Sequence, residues 1–382
     1  MSETATLSKV ASRVSEDVWS ERDTTPDAIE AALRGLLRHR HAADRAVAPA
    51  RVLNLVVVVD RACRDAVAER LERVGRYDAS RTILCTVHDE RRTLDATAVM
   101  SYSEPGGAGL RLVHEKVEIE IGPQHLSALH TIVGPVLARE LPTALWCAHG
   151  HDPGLQPLLR KVDAILLDSD ELIEPRAGLV RAADLARSAY VVDLAWLRTT
   201  PWRERLAASF DPPDRRAALR TLKAISIRHR PGSGATGLLL AGWLASRLRW
   251  EILPPGSSNG AAPRRIAGTG VEIALEPFDQ GAPGLAGITM TCRDGFSLSL
   301  DRAPGGLRAR ERSPAGDQDV WQVLGASRGE GGILGEGVRQ AQLRDPTYAP
   351  AVEAACGLSQ ALASRSFIVA AESGNSRLCP GP

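Results

Sequence analysis

The sequence predicts an α/β protein in which an N-terminal mixed sheet flanked by helices is followed by a smaller α+β domain with antiparallel strands. Residues 52–59 form an apolar run, interrupted only by Asn54 and ending at Asp60, the pattern of a strand buried on both faces, and a helix-spaced segment follows at once. That strand-then-helix rhythm recurs to about residue 210. Past Pro212 and Pro213 it gives way to short alternating runs separated by Gly, Pro and Asp, as in antiparallel sheets. With 382 residues, 44% of them hydrophobic, the chain can build two or three cores. The expected divisions are residues 20–210, residues 211–362 and a flexible tail over 363–382.

Taken in order, residues 26–39 carry Ile29, Leu33, Leu36 and Leu37 at helical spacing, with Thr25 placed to cap. The strand at 52–59 and a helix over 61–74 come next, then a strand at 82–87. Residues 96–102 and 110–121 alternate around Glu104-Pro105-Gly106-Gly107 and predict a hairpin inserted in the α/β unit. A helix over 126–137, strands at 144–147 and 164–167 and a helix over 177–188 lead to Tyr190. In residues 190–211, Val191, Val192 and Leu194 suit a buried strand. Thr200 is placed to cap and Pro201 to open a helix on which Trp202, Leu206 and Phe210 share a face. The second domain begins with a strand at 222–228 and a helix over 237–250. Strands at 271–275, 287–292 and 296–300 and helices over 336–343 and 349–362 complete it.

Forty-seven basic residues balance forty-six acidic ones, so no excess positive charge is available for a phosphate backbone, and nucleic acid is not the expected partner. The start, MSETATLSKV, is polar, and the longest apolar helix, over 237–248, is too short to span a bilayer, so a cytoplasmic protein without a membrane segment is expected. Six dispersed cysteines fit reduced thiols better than a disulfide framework.

Gly232-Ser233-Gly234-Ala235-Thr236-Gly237 spells a G-x-G-x-x-G between a strand and a helix, with Arg228 and Arg230 just before it. Amides of such a turn can hold a phosphate, which makes Arg228, Arg230, Gly232, Gly234 and Gly237 anion-loop candidates. Against a dinucleotide, Glu251 falls short of the roughly 20-residue spacing expected of a ribose-binding acid. A plain turn fits the same glycines. Cys147, His149 and His151 are metal-ligand types on alternate residues, but no second ligand pair accompanies them, and no metal is expected. Asp168-Ser169-Asp170 lies where a strand delivers its C-terminal end, a position that serves a small ligand or partner contact, or a helix cap at Ser169 or Asp170. Arg81 and Glu115 are charges set among apolar neighbours and need partners if buried, each other included. No Walker A, G-x-S-x-G or H-E-x-x-H motif is present, so an enzyme is not expected.

The run Asp193-Leu194-Ala195-Trp196 with Arg198, Thr200-Pro201-Trp202-Arg203, Leu206-Ala207 and Phe210-Asp211 resembles the glucose-6-phosphate dehydrogenase assembly protein family, OpcA. Other segments match the same family in the same order. They include Ser80-Arg81-Thr82-Ile83-Leu84, Glu115-Lys116-Val117-Glu118-Ile119, Val162-Asp163 through Asp168-Ser169, the apolar helix at 238–248 and Arg344-Asp345-Pro346-Thr347-Tyr348. The resemblance covers about residues 19–355. One departure is Cys147-Ala148-His149 after Leu145-Trp146, where a second tryptophan and a Gly/Pro turn are expected. The resemblance implies a non-catalytic partner that binds glucose-6-phosphate dehydrogenase in the oxidative pentose phosphate pathway and promotes its assembly and allosteric activation, with no cofactor of its own. Trp196, Trp202 and Arg203 are its interface candidates, because Trp and Arg dominate interface energies where they are exposed. The alternative is an enzyme or sensor that binds a phosphorylated small molecule at the loop 232–237.

Overall fold

The structure, a computed structural model, describes residues 15–43, 47–48, 51–75, 80–103, 111–252, 264–265, 270–324 and 330–374. It is a mixed α/β architecture with two large sheets. The chain divides into two compact units, residues 1–165 and 166–382, the boundary falling inside the strand Ala164–Leu167.

In the first unit, Leu53–Asp60 is central, and its seven residues before Asp60 are all buried. Such a strand survives only between parallel neighbours with both faces covered. It pairs in parallel with Ser80–Val87 and with Thr143–Cys147, and Ser80–Val87 pairs in parallel with Arg111–Ile121. The hairpin expected after it is present as Asp95–Ser103 against Arg111–Ile121; its turn lies outside the described residues. A strand not anticipated, Ser15–Glu21, adds antiparallel to Asp95–Ser103. The first helix, Pro26–Ala43, is capped by the Thr25 hydroxyl, which accepts from the Ala28 N–H at 3.3 Å. In place of one helix over 126–137 there are two 3-10 turns around a single α turn, Leu129–Val133, because Pro135 removes a donor and prevents continuation.

In the second unit a six-stranded sheet runs Glu272–Pro277, Leu222–His229, Leu285–Cys292, Ser297–Ala303, Gly306–Arg312, Gln318–Leu324. It is antiparallel apart from its first pair, which is parallel. Neither of the last two strands was anticipated: in Gly306–Arg312 exposed arginines (Arg308, Arg310) alternate with buried Leu307 and Ala309, and Gln318–Leu324 lies at the sheet edge with Val320 exposed. The helix Gly234–Arg247 lies against Tyr348–Gly374 so closely that a Cβ on Gly242 would stand 2.2 Å from the Ala351 carbonyl oxygen. The last helix, expected to end at Leu362, runs on to Gly374, and residues 375–382 lie outside the described ones.

The helix expected to be capped by Thr200 and opened by Pro201 begins seven residues earlier. It spans Leu194–Ser209, capped by Asp193, whose carboxylate accepts from the Ala195 N–H at 2.9 Å. Pro201 sits inside it at its eighth residue, and the Thr199 hydroxyl binds back to the Trp196 carbonyl at 2.7 Å. The aspartate at the strand end is the stronger cap, so the proline is carried as an interior residue at some cost.

Candidate functional site

In the second unit, segments far apart in sequence meet in one buried polar centre. Its frame is the pair of strand ends at Leu167 and Asp193, the start of the helix Gly234–Arg247 and the first turn of Tyr348–Gly374. Asp168 receives both terminal nitrogens of Arg198, at 2.7 and 2.6 Å, with both side chains almost wholly buried. The fork-to-fork geometry makes this among the strongest of charge-assisted pairs. Asp193 is fully enclosed and accepts four donors: the Ser169 N–H at 3.1 Å, the Ser169 hydroxyl at 2.6 Å, the Ala195 N–H and the Tyr348 hydroxyl at 3.0 Å. Burial, and then the nearby Asp168, push its carboxyl up to about 6, against the opposing bonds from Ser169 and Tyr348. The Tyr348 phenol is pushed well above its usual value, first by burial and then by Asp193.

Asp170 explains the glycine loop. Its carboxylate accepts the Thr236 N–H at 3.0 Å and the Thr236 hydroxyl at 2.5 Å, so the amino end of the helix Gly234–Arg247 is already met by a negative charge of the chain's own. Burial, then Asp168, raise this carboxyl to about 7, against Arg198 and Thr236. Each glycine has a packing or turn reason. Gly232 sits at φ +85°; a Cβ on Gly234 would lie 2.7 Å from Pro175, and one on Gly237 would lie 3.1 Å from Leu275 and 3.3 Å from His229. A tight turn and a close helix-to-strand approach therefore reproduce the dinucleotide spacing without a ligand. Arg228 turns to Asp301 at 2.6 Å, while Arg230 is exposed and its carbonyl accepts the Ser233 N–H.

Beside this centre lies a hollow of about 230 Å³ that includes Trp196, Arg203, Asp345 and Tyr348. The Arg203 guanidinium stacks 3.6 Å from the Trp196 ring centroid, and the Trp196 indole N–H donates to Asp345 at 2.9 Å. Burial lowers Arg203 to about 10, with Asp345 opposing, so it stays charged near neutrality. Burial pushes Asp345 up, but bonds from Thr347 and Trp196 outweigh it and the carboxyl ends below its usual value. Trp196 and Trp202 are 3% and 1% exposed, and Trp202 is a core residue. Of the three interface candidates only Arg203 is partly open, its side chain 12% exposed.

In the first unit, Arg81 and Glu115 face each other across parallel strands and pair at 2.6 Å, and Arg51 joins them on the same carboxylate. His151 spends both ring nitrogens locally: Nδ1 accepts the Gly154 N–H at 3.1 Å, and Nε2 stands 3.2 Å from Asp60. His149 is exposed in a left-handed turn at φ 54° and Cys147 is buried. Among the described residues no three His, Cys, Asp or Glu side chains are placed to hold a metal, and no helix is long and apolar enough to cross a membrane. The five described cysteines form no disulfide with one another. Sequence reasoning singled out Asp168-Ser169-Asp170 at the strand end but missed Asp193, Arg198 and Tyr348 as centre residues; an aspartate before a helix was the available signal.

These features define a two-unit α/β protein whose central polar groups bind one another. Two family profiles of a glucose-6-phosphate dehydrogenase subunit match in sequence, that of its N-terminal domain over residues 72–184 and that of its C-terminal domain over residues 189–352. The chain belongs to the OpcA family of glucose-6-phosphate dehydrogenase assembly proteins. Among its relatives, a protein of Synechococcus elongatus provisionally named OxPP cycle protein OpcA is 33% identical over 141 residues, 36% of this chain and 32% of that one. Its counterparts in Synechocystis and Nostoc punctiforme, with the same provisional name, are each 35% identical, over 33% of this chain and 27% and 28% of theirs. The chain thus matches about a third or less of the length of these curated relatives. An oxidoreductase from Bacillus cereus aligns over 82% of this chain and 96% of its own, at 8% identity and a TM-score of 0.39, a likeness too slight to carry an argument.

Proposed function

We propose that this chain is a non-catalytic partner that binds glucose-6-phosphate dehydrogenase and favours its assembled, active state. The observation that carries the reading is the match of both family profiles, in order, over most of the chain. The geometry is compatible with it. Asp168 is spent on Arg198, Asp193 on Ser169 and Tyr348, and Asp170 on Thr236, as in a scaffold that holds a surface in shape. The loop 232–237 is a poor phosphate cradle for the same reason, since the Asp170 carboxyl already takes the Thr236 N–H and hydroxyl at the helix end. A partner shifts an enzyme only by binding its active state more tightly than its inactive one. A coupling of about 1–3 kcal/mol would change apparent substrate affinity by about 5- to 150-fold. Arg203, the partly open member of the Trp196 stack, is the proposed contact residue.

The test is co-migration. Light scattering on a mixture of this chain with the dehydrogenase of its own organism is expected to show a species heavier than either alone. Two independent peaks at micromolar concentrations would refute the proposal. Arg203→Ala is expected to weaken the complex while leaving the chain folded.

A further inference from the structure

The first unit holds a cavity of about 380 Å³, within the roughly 300–1,000 Å³ range of small-molecule pockets. Four guanidiniums line it, those of Arg34, Arg51, Arg81 and Arg139, together with Asp27 and Glu30 of the helix Pro26–Ala43. The position of Arg81 is fixed by the sheet, opposite Glu115 in register, and its Nη1 donates to the Val136 carbonyl at 2.8 Å. The facing wall, residues 135–139, is fixed by Asn54. The Asn54 amide oxygen accepts the Ala138 N–H at 2.8 Å, and its nitrogen donates to the Ala138 carbonyl at 3.0 Å. Both walls are therefore preformed.

The charges do not balance. Glu115, with no side-chain exposure, is a single carboxylate shared by Arg51 and Arg81, whose side chains are 22% and 8% exposed. Glu30 is taken by Arg34. Arg139 has no ion pair among the described residues, and the Nε of Arg51 is buried without an acceptor. Arg51 and Arg81, both largely buried, share one carboxylate and so leave a positive charge in a partly enclosed site; an entering anion offsets it while meeting the planar donor fork that suits phosphate and carboxylate alike.

We propose that this cavity binds a small organic anion, recognised through a phosphate or carboxylate group held between Arg51 and Arg139. The proposal is independent of the partner reading. It is tested by calorimetric titration of the full chain with a hexose monophosphate, inorganic phosphate and citrate, each at matched ionic strength, because simple screening would imitate weak anion binding. Saturable binding of at least one is expected, weakened tenfold or more by Arg51→Gln and unchanged by Arg228→Ala in the second unit. Preference for the two phosphates identifies a phosphate ligand, and preference for citrate a carboxylate. If Arg51→Gln does not fold, the exposed Arg139→Gln carries the comparison. The absence of saturable binding by all three anions overturns the proposal, as does binding that the arginine variant leaves unchanged.

Discussion

Asp168 and Arg198 show what single residues contribute. Removing one member of a buried ion pair strands the other, which costs about 3–5 kcal/mol, whereas replacing both by apolar residues of similar volume is often nearly neutral. Arg198→Ala is therefore expected to lower unfolding free energy by about that amount in a urea titration. The double variant Asp168→Leu, Arg198→Met should lose markedly less. Equal losses would mean that the cost of the single variant is not that of a stranded buried charge. Trp202, 1% exposed, is expected to cost about 3–5 kcal/mol on truncation to alanine, and melting within a degree of the parent would contradict its core placement. Asp170 adds a dependence on pH. Its folded value of about 7 lies above the usual range for an aspartate, so between about pH 4 and pH 7 the folded chain holds a proton that the unfolded chain has released. That contribution to stability is present in acid and lost as pH rises through 7. Asp170→Asn, which resembles the protonated group and does not titrate, should gain on the parent between about pH 4 and pH 7 and keep that gain above it. A stability difference independent of pH would contradict the assignment.

At the scale of elements, glycines separate positions that demand closeness from positions that do not. Gly242 lies where the helices Gly234–Arg247 and Tyr348–Gly374 touch, and a methyl there would collide with backbone at 2.2 and 2.7 Å. Gly35, in the first helix, has nothing within 4 Å of its would-be Cβ. Alanine is the better helix former by about 1 kcal/mol, so Gly35→Ala should raise stability by up to that amount. Gly242→Ala should instead lower it by about 1–3 kcal/mol, as overpacking does. Thermal melts of the two variants decide this, and a stabilising Gly242→Ala would mean that the helices do not pack as described. Elements were legible in the sequence where pattern and packing agree, as at Leu53–Asp60, the hairpin strands and Gly234–Arg247. They were misread where a tertiary cap outranked a local signal, as when Asp193 rather than Thr200 began its helix. The strand Gly306–Arg312 was missed because its outward face is arginine and its alternation is carried by Leu307 and Ala309 alone.

At the scale of the molecule, the segments that carried the family resemblance are the ones the fold gathers. Asp193 and Trp196 come from one, Asp345 and Tyr348 from another 149–155 residues away, and Asp168 and Ser169 from a third. The order of these words was readable; their meeting was not, because contacts over such separations leave no periodic trace in a single chain. The arginine-lined cavity was hidden for the same reason, with Arg51, Arg81 and Arg139 looking like scattered charges until sheet register and the Asn54 clamp bring them together. The central claim is functional, and kinetics tests it most directly. The rate of glucose-6-phosphate dehydrogenase from the same organism is followed against substrate concentration while this chain is added to micromolar excess. The account predicts a saturable fall in apparent KM or rise in rate of about fivefold or more, with a midpoint that tracks complex formation. An unchanged rate curve at every substrate concentration, with the chain folded and in excess, would contradict it.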